Sequence, residues 1–174
     1  MKKYKVAMIG HGGFGRFLTE NYQEMEEIEV EAVVGADEKD VEDFAKEFRI
    51  PFWTTDYKDV LKKPDIDVVA IVTPPNLHCE MAIEAARAGK AILVEKPFAL
   101  SLDEADKMIA EIEENKVPAT IGYVMRYSSI YDKVRDIARG KSLGKLKRML
   151  FENYASGHLP DSHWLFDQSK SGGL

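Results

Sequence analysis

Gly10-His11-Gly12-Gly13-Phe14-Gly15 is the stretch that decides the fold. Before it, Tyr4–Ile9 is a run of apolar and β-branched residues that predicts a strand. After it, residues 14 to about 25 carry a helical period. Strand, glycine-rich turn and helix, in that order, are the setting that gives a bare G-x-G-x-x-G its meaning. In that setting Gly10 permits the tight turn, Gly12 lets the backbone approach a diphosphate, and Gly15 lets the helix pack closely on the sheet. The amides and dipole at the start of such a helix attract phosphate. His11 and Gly13 hold variable positions, and His11 reads as a loop histidine near solvent. A glycine-rich turn with no ligand is the alternative reading.

Outward from this stretch, short apolar runs alternate with helical segments. Strands are expected at residues 30–34, 68–72, 91–94 and 119–124, and helices at 40–48, 57–61, 77–88 and 102–115. The alternation predicts βαβ units in a doubly wound parallel sheet, buried on both faces, over residues 1 to about 122. Ser101 with Glu104 fits a capping box, Asn76 is placed to cap the helix that follows it, and Gly89 to stop that helix.

Three further groups sit where the expected strands end. Asp37 follows the second strand about 20 residues after Gly15, where the dinucleotide fingerprint wants an acid to hold the ribose hydroxyls. With Glu38 it would repel the extra phosphate of NADP, so NAD is the expected cofactor, although Lys39 keeps NADP open. An exposed loop acid is the other reading of Asp37. Thr73-Pro74-Pro75-Asn76-Leu77-His78 and Glu95-Lys96-Pro97 lie at the carboxyl ends of the next two strands, the edge where ligands of open α/β sheets collect. From spacing alone Lys96 reads equally as a group facing a nicotinamide and a substrate hydroxyl, or as a surface salt-bridge member.

The 174 residues are 45% hydrophobic, enough for one full core with some length over. A formal charge of -6 argues against nucleic acid or an anionic membrane surface as partner. The first apolar run is too short for a membrane span. One cysteine, Cys79, excludes an intrachain disulfide and suits a reducing, cytoplasmic setting. No metal site is read.

From Tyr127 the pattern changes. Residues 130–138 predict an amphipathic helix and residues 146–154 one long strand, followed by a tail rich in turn residues. A lone strand needs partners, so residues 123–174 are expected to begin an α+β second domain that the chain leaves unfinished, with self-association as a consequence.

GHGGFG, VTPPNLH, AARAGKAILVEKP followed by a capped helix, and IGYVMRY together resemble the Gfo/Idh/MocA family of oxidoreductases. That resemblance implies a Rossmann-type domain followed by the start of an α+β domain. It also implies hydride transfer between NAD and a secondary alcohol or ketone of a sugar, polyol or related small molecule. It makes Lys96 the catalytic lysine, contacting the substrate hydroxyl and the nicotinamide ribose. Thr73, Pro74, Asn76, His78 and Glu95 match positions lining the cofactor, as does Pro75 between them, and Arg126 a position facing the cleft. Trp164 resembles an aromatic segment of the family but reads as a core tryptophan. The family continues into an aspartate and a histidine, the latter taken as general base. This sequence reaches Leu174 first, and His158 and His163 do not correspond to that histidine. Turnover is therefore expected to need further residues, a homo-oligomer or a complementing chain. A non-catalytic NAD(H)-binding module or a fragment is the alternative.

Overall fold

The computed structural model describes residues 3–140, 143–152 and 163–172. Six strands form one all-parallel sheet: β1 (Tyr4–Ile9), β2 (Ile28–Val34), β3 (Phe52–Thr54), β4 (Val68–Ile71), β5 (Ala91–Val94) and β6 (Ala119–Ile121). Their spatial order is β3-β2-β1-β4-β5-β6. The helices between them are α1 (Gly13–Gln23), α2 (Glu38–Phe48), α3 (Tyr57–Leu61), α4 (His78–Arg87) and α5 (Leu102–Asn115).

Both faces of the sheet are covered, which is why its strands read as continuous apolar runs. Val6, Met8, Val30, Val33 and Ala70 pack with Val41, Phe44 and Ala45 of α2 and with Leu18 and Tyr22 of α1. On the opposite face Ala7, Ile9, Ala32, Val69, Ile71, Ile92 and Val94 meet Val60 of α3, the Met81, Ala82, Ala85 and Ala86 stripe of α4, and Met108 of α5. The register of β1 on β2 shifts between Val6 and Ala7: Val6 pairs with Val30 and Ala7 with Ala32, so Glu31 has no partner on β1. The extra residue changes which face the rest of β2 presents, and Ala32 and Val34 join the α3–α5 side. At the amino-terminal edge of the sheet the buried Lys90 ammonium donates to the carbonyls of Lys63 (2.6 Å) and Ile66 (3.0 Å), and this desolvation lowers its pKa.

Helix boundaries follow local chemistry. Ser101 Oγ accepts from the Glu104 amide at 3.2 Å, while the Glu104 carboxylate accepts from the Leu100 amide at 2.9 Å, one residue earlier than a standard capping box. Gly89 follows α4 at φ 71°, the left-handed conformation that stops a helix. Asn76 does not cap: a 3₁₀ turn, Pro75–Leu77, leads into α4, and no side chain caps that helix.

The chain divides into two compact units. Residues 164–172 group with the sheet-bearing unit that ends at Gly122, and residues 123–163 form the second. Between Tyr123 and His163, the described residues contain a 3₁₀ turn (Val124–Tyr127) and α6 (Ser129–Arg139). In the sheet-bearing unit, Trp164–Phe166 form a 3₁₀ turn and Gln168–Ser171 a short helix, α7, capped by Asp167. The expected strand over 119–124 is thus cut short at Ile121. The long strand expected from residue 146 is not formed over 146–152, and residues 153 and 154 lie outside the described residues. Its apolar side chains Leu146, Met149, Leu150 and Phe151 are exposed. Strand pairing needs a second row of amides and carbonyls, and none of the described residues supplies one.

Candidate cofactor cleft

The turn from β1 into α1 is built by backbone proximity. Gly10 has φ 104°, and a Cβ there would stand 2.6 Å from the Val72 carbonyl oxygen. A Cβ on Gly15 would collide with the Gly10 carbonyl, so only glycine lets the first turn of α1 lie on the strand end. The start of α1 is chemically bare. Gly12 is the N-cap with no side-chain hydrogen bond, and no acidic residue occupies the first turn. Among the described α-helices α1 alone combines these two features; α2, α3 and α5, for example, carry both a capping side chain and first-turn acids. Its leading amides are therefore available to an anion. Gly12 and Gly13 are exposed, and a Cβ at either would meet nothing within 4 Å. This cradle fits a diphosphate.

The turn opens on a cleft of about 380 Å³ at the carboxyl ends of β1, β2 and β4. Gly10, His11, Gly12, Thr73 and Pro74 line it together with Gly35, Ala36, Thr55, Tyr57, Leu77, Met81 and Trp164. His11 is half-buried rather than a free loop residue. Its ring packs on Gly35, where a Cβ would clash with it, and meets Phe44 edge-on at 5.4 Å between centroids. Phe14 is 41% exposed, stacks on Phe17 and does not line the cleft. Asp37 stands next to the lining residue Ala36; it is exposed and caps α2 by accepting from the Asp40 amide at 3.0 Å. One carboxylate oxygen takes that bond, which leaves the other for a ligand.

Residues that the sequence reading did not place here come from far along the chain. Trp164, expected in the core, lines the cleft. Tyr57 lines it too, its hydroxyl donating to Glu80 at 3.0 Å; burial, reinforced by the Glu80 and Glu84 carboxylates, holds that phenol above its usual range. No local motif signals Tyr57, and the aromatic segment around Trp164 gives no sign that it reaches the cleft.

After β5, Glu95 is buried, and its carboxylate rests against the Gly122 backbone, where a Cβ would overlap it. It accepts from the Lys96 amide at 3.2 Å, and burial pushes its pKa above the ordinary glutamate value. The Lys96–Pro97 peptide is cis. The Lys96 side chain is exposed and makes no ion pair among the described residues, so the salt-bridge reading of it finds no partner there. His78 is fully buried rather than cleft-lining, with Nδ1 2.9 Å from the Pro97 carbonyl oxygen and Nε2 2.9 Å from that of Thr73. Pro75 is buried and Asn76 exposed, and neither lines the cleft. Arg126 is exposed in the second unit. Among the described residues no cluster could hold a metal, and no helix is long and apolar enough to cross a membrane.

A parallel sheet in this strand order, with a glycine-lined cleft where the order reverses and an acid just past β2, defines a Rossmann-type dinucleotide-binding domain. Residues 4–123 match the family described as "Oxidoreductase family, NAD-binding Rossmann fold", and the chain belongs to that family, the Gfo/Idh/MocA oxidoreductases. Among its relatives is the scyllo-inositol 2-dehydrogenase (NAD(+)) of Bacillus subtilis, 41% identical over 105 residues that cover 60% of this chain and 30% of the relative. The crystal structure of myo-inositol 2-dehydrogenase from Lactobacillus plantarum superposes with a TM-score of 0.77 at 28% identity, covering 83% of this chain and 43% of that one. Levoglucosan dehydrogenase in complex with NADH and levoglucosan gives 0.73 at 26% identity, covering 80% and 41%. The chain spans less than half the length of each of these proteins.

Proposed function

We propose that the chain forms the NAD(H)-binding part of an oxidoreductase that interconverts a secondary alcohol and a ketone on a sugar, polyol or related small molecule. The observation that carries this reading is the bare start of α1, opening on a cleft at the strand ends, while the neighbouring strand β5 is followed by a lysine that makes no ion pair among the described residues. The amides that follow Gly12 would hold the diphosphate, and Asp37 the adenosine ribose, with NAD favoured over NADP by that carboxylate and the neighbouring Glu38. The bound nicotinamide ring would donate or accept the hydride. Lys96 would hold and polarise the substrate oxygen, its ammonium free of any described carboxylate partner. Trp164 and Tyr57 would wall the cleft against water.

Calorimetry with NADH and NADPH tests the cofactor half of the reading; a folded sample that binds neither refutes it. A dehydrogenase assay against sugars and inositols, with the chain joined to or complemented by a second domain, tests the chemistry, and the absence of NAD reduction with every substrate counts against it.

A second reading, a module that binds NAD(H) without turning it over, is favoured by the burial of both titratable neighbours of Lys96. Glu95 is buried against Gly122 and His78 is fully buried facing two carbonyls, and neither lines the cleft in which a substrate hydroxyl would sit. Cofactor binding without turnover beside a complementing chain would select this module.

A further inference from the structure

The loop after β4 lines the cleft on the side away from Asp37, the loop after β5 follows the neighbouring strand, and one buried ring joins the two loops. His78 begins α4, is 0% exposed, and reaches the Thr73 carbonyl with Nε2 and the Pro97 carbonyl with Nδ1, both at 2.9 Å. Thr73 lines the cleft. Pro97 is the residue after Lys96. On the other side of Lys96, its own amide is tied to the Glu95 carboxylate, which is wedged against Gly122. The lysine side chain is thus free while its backbone is held before and behind. Strand order assigns the ligand's two halves: the acid after β2 marks the adenosine side of the diphosphate, so the remaining nucleotide extends over β4 and β5.

We propose that His78 is a positioning residue for the nicotinamide half of the cofactor: by strapping Thr73 to Pro97 it sets the distance between the two loops and the direction from which Lys96 enters the cleft. This rests on the NAD(H) reading above. It makes an energetic separation between the two ends of one ligand, which a purely structural histidine would not produce. A histidine that only supports the fold would, on removal, weaken every ligand alike.

The test compares NADH with ADP-ribose, which keeps the diphosphate and the adenosine but lacks the nicotinamide. Calorimetry is run on the wild-type chain, on His78→Leu, which fills the space without a donor, and on His78→Asn, whose amide nitrogen falls near the Nδ1 position and can still reach Pro97. In His78→Leu, ADP-ribose affinity stays within about twofold while NADH affinity falls about tenfold, the size of effect expected when an oriented polar contact is lost. His78→Asn recovers most of the NADH affinity. Equal weakening of both ligands in His78→Leu, or no weakening of either, overturns the proposal. Should His78→Leu fail to fold, ¹⁵N-edited spectra of the wild-type histidine rings decide: the His78 signals shift on adding NADH and stay in place with ADP-ribose, and signals indifferent to NADH overturn it. Wild-type protein that binds neither ligand refutes the NAD(H) reading itself, which is a different failure.

Discussion

Gly12→Ala separates what the glycine-rich turn does for the fold from what it does for a ligand. Gly12 has φ -62° and ψ -173°, an extended conformation open to any residue, and an added Cβ meets nothing within 4 Å. The cost to the fold is then only the poorer N-cap, under about 1 kcal/mol, or a fall in Tm of no more than about 4 °C for a chain of this size. The ligand sees a different surface. If a diphosphate oxygen approaches the leading amides of α1 to about 2.9 Å, the new methyl occupies space the diphosphate needs. Overpacking of this kind costs about 1–3 kcal/mol, equivalent to about 5- to 150-fold weaker NADH binding. Gly10→Ala provides the contrast. With φ 104° and the Val72 carbonyl oxygen 2.6 Å from the new Cβ, strain and overlap together cost the fold about 2–6 kcal/mol before any ligand is added. Calorimetric melting and NADH titration on the same preparations read both quantities. A Gly12→Ala chain that binds NADH as tightly as wild type would show that no diphosphate passes over this turn.

Asp37→Ser keeps a competent N-cap and removes the charge, so Tm should hold while the NADH-to-NADPH affinity ratio falls by about tenfold or more; an unchanged ratio removes Asp37 from the ribose site. The pKa of Glu95 is raised by burial, so whatever stability it contributes is fully present below the unfolded glutamate range and is lost as pH rises through its folded value. Glu95→Gln, which still accepts from the Lys96 amide, should therefore gain on wild type in melting experiments run from about pH 4 to about pH 8, and a constant difference contradicts the burial. Trp164 lines the cleft and Trp53 lies on β3, so Trp164→Phe should abolish most of the tryptophan quenching produced by NADH; retained quenching places the ligand elsewhere.

Much of the sheet was legible because its strands are buried on both faces and stand out as uninterrupted apolar runs. β3 was not, since three residues, Phe52–Thr54, are too few to show a period, and it borrows its order from the edge of β2. The stretch from residue 146 illustrates the opposite case. Its apolar and aromatic residues signal a strand, but a strand exists only where a partner supplies hydrogen bonds, and sequence reports propensity without the partner. At the site, the placement of Gly10, Gly15, Asp37 and Lys96 could be read because it depends on strand ends and backbone conformation, which are local. His78 and Trp164 were misplaced because their surroundings are not. Burial of His78 is decided by Pro97, 19 residues away, and Trp164 reaches the cleft only through the packing of a distant 3₁₀ turn.

The register shift in β2 has a bearing on length variation. Glu31 is counted by no rung of the ladder with β1, and its carboxylate instead meets Lys5 at 3.1 Å. A chain shortened by that one residue would leave Ala32 opposite Ala7 and deliver Gly35 and Asp37 to the same place as before. A chain shortened at Val33 would turn the last part of the strand over and carry Asp37 to the wrong face. Natural or engineered deletions in this strand should therefore be tolerated at a single point, and that point is recognisable in advance from the pairing alone.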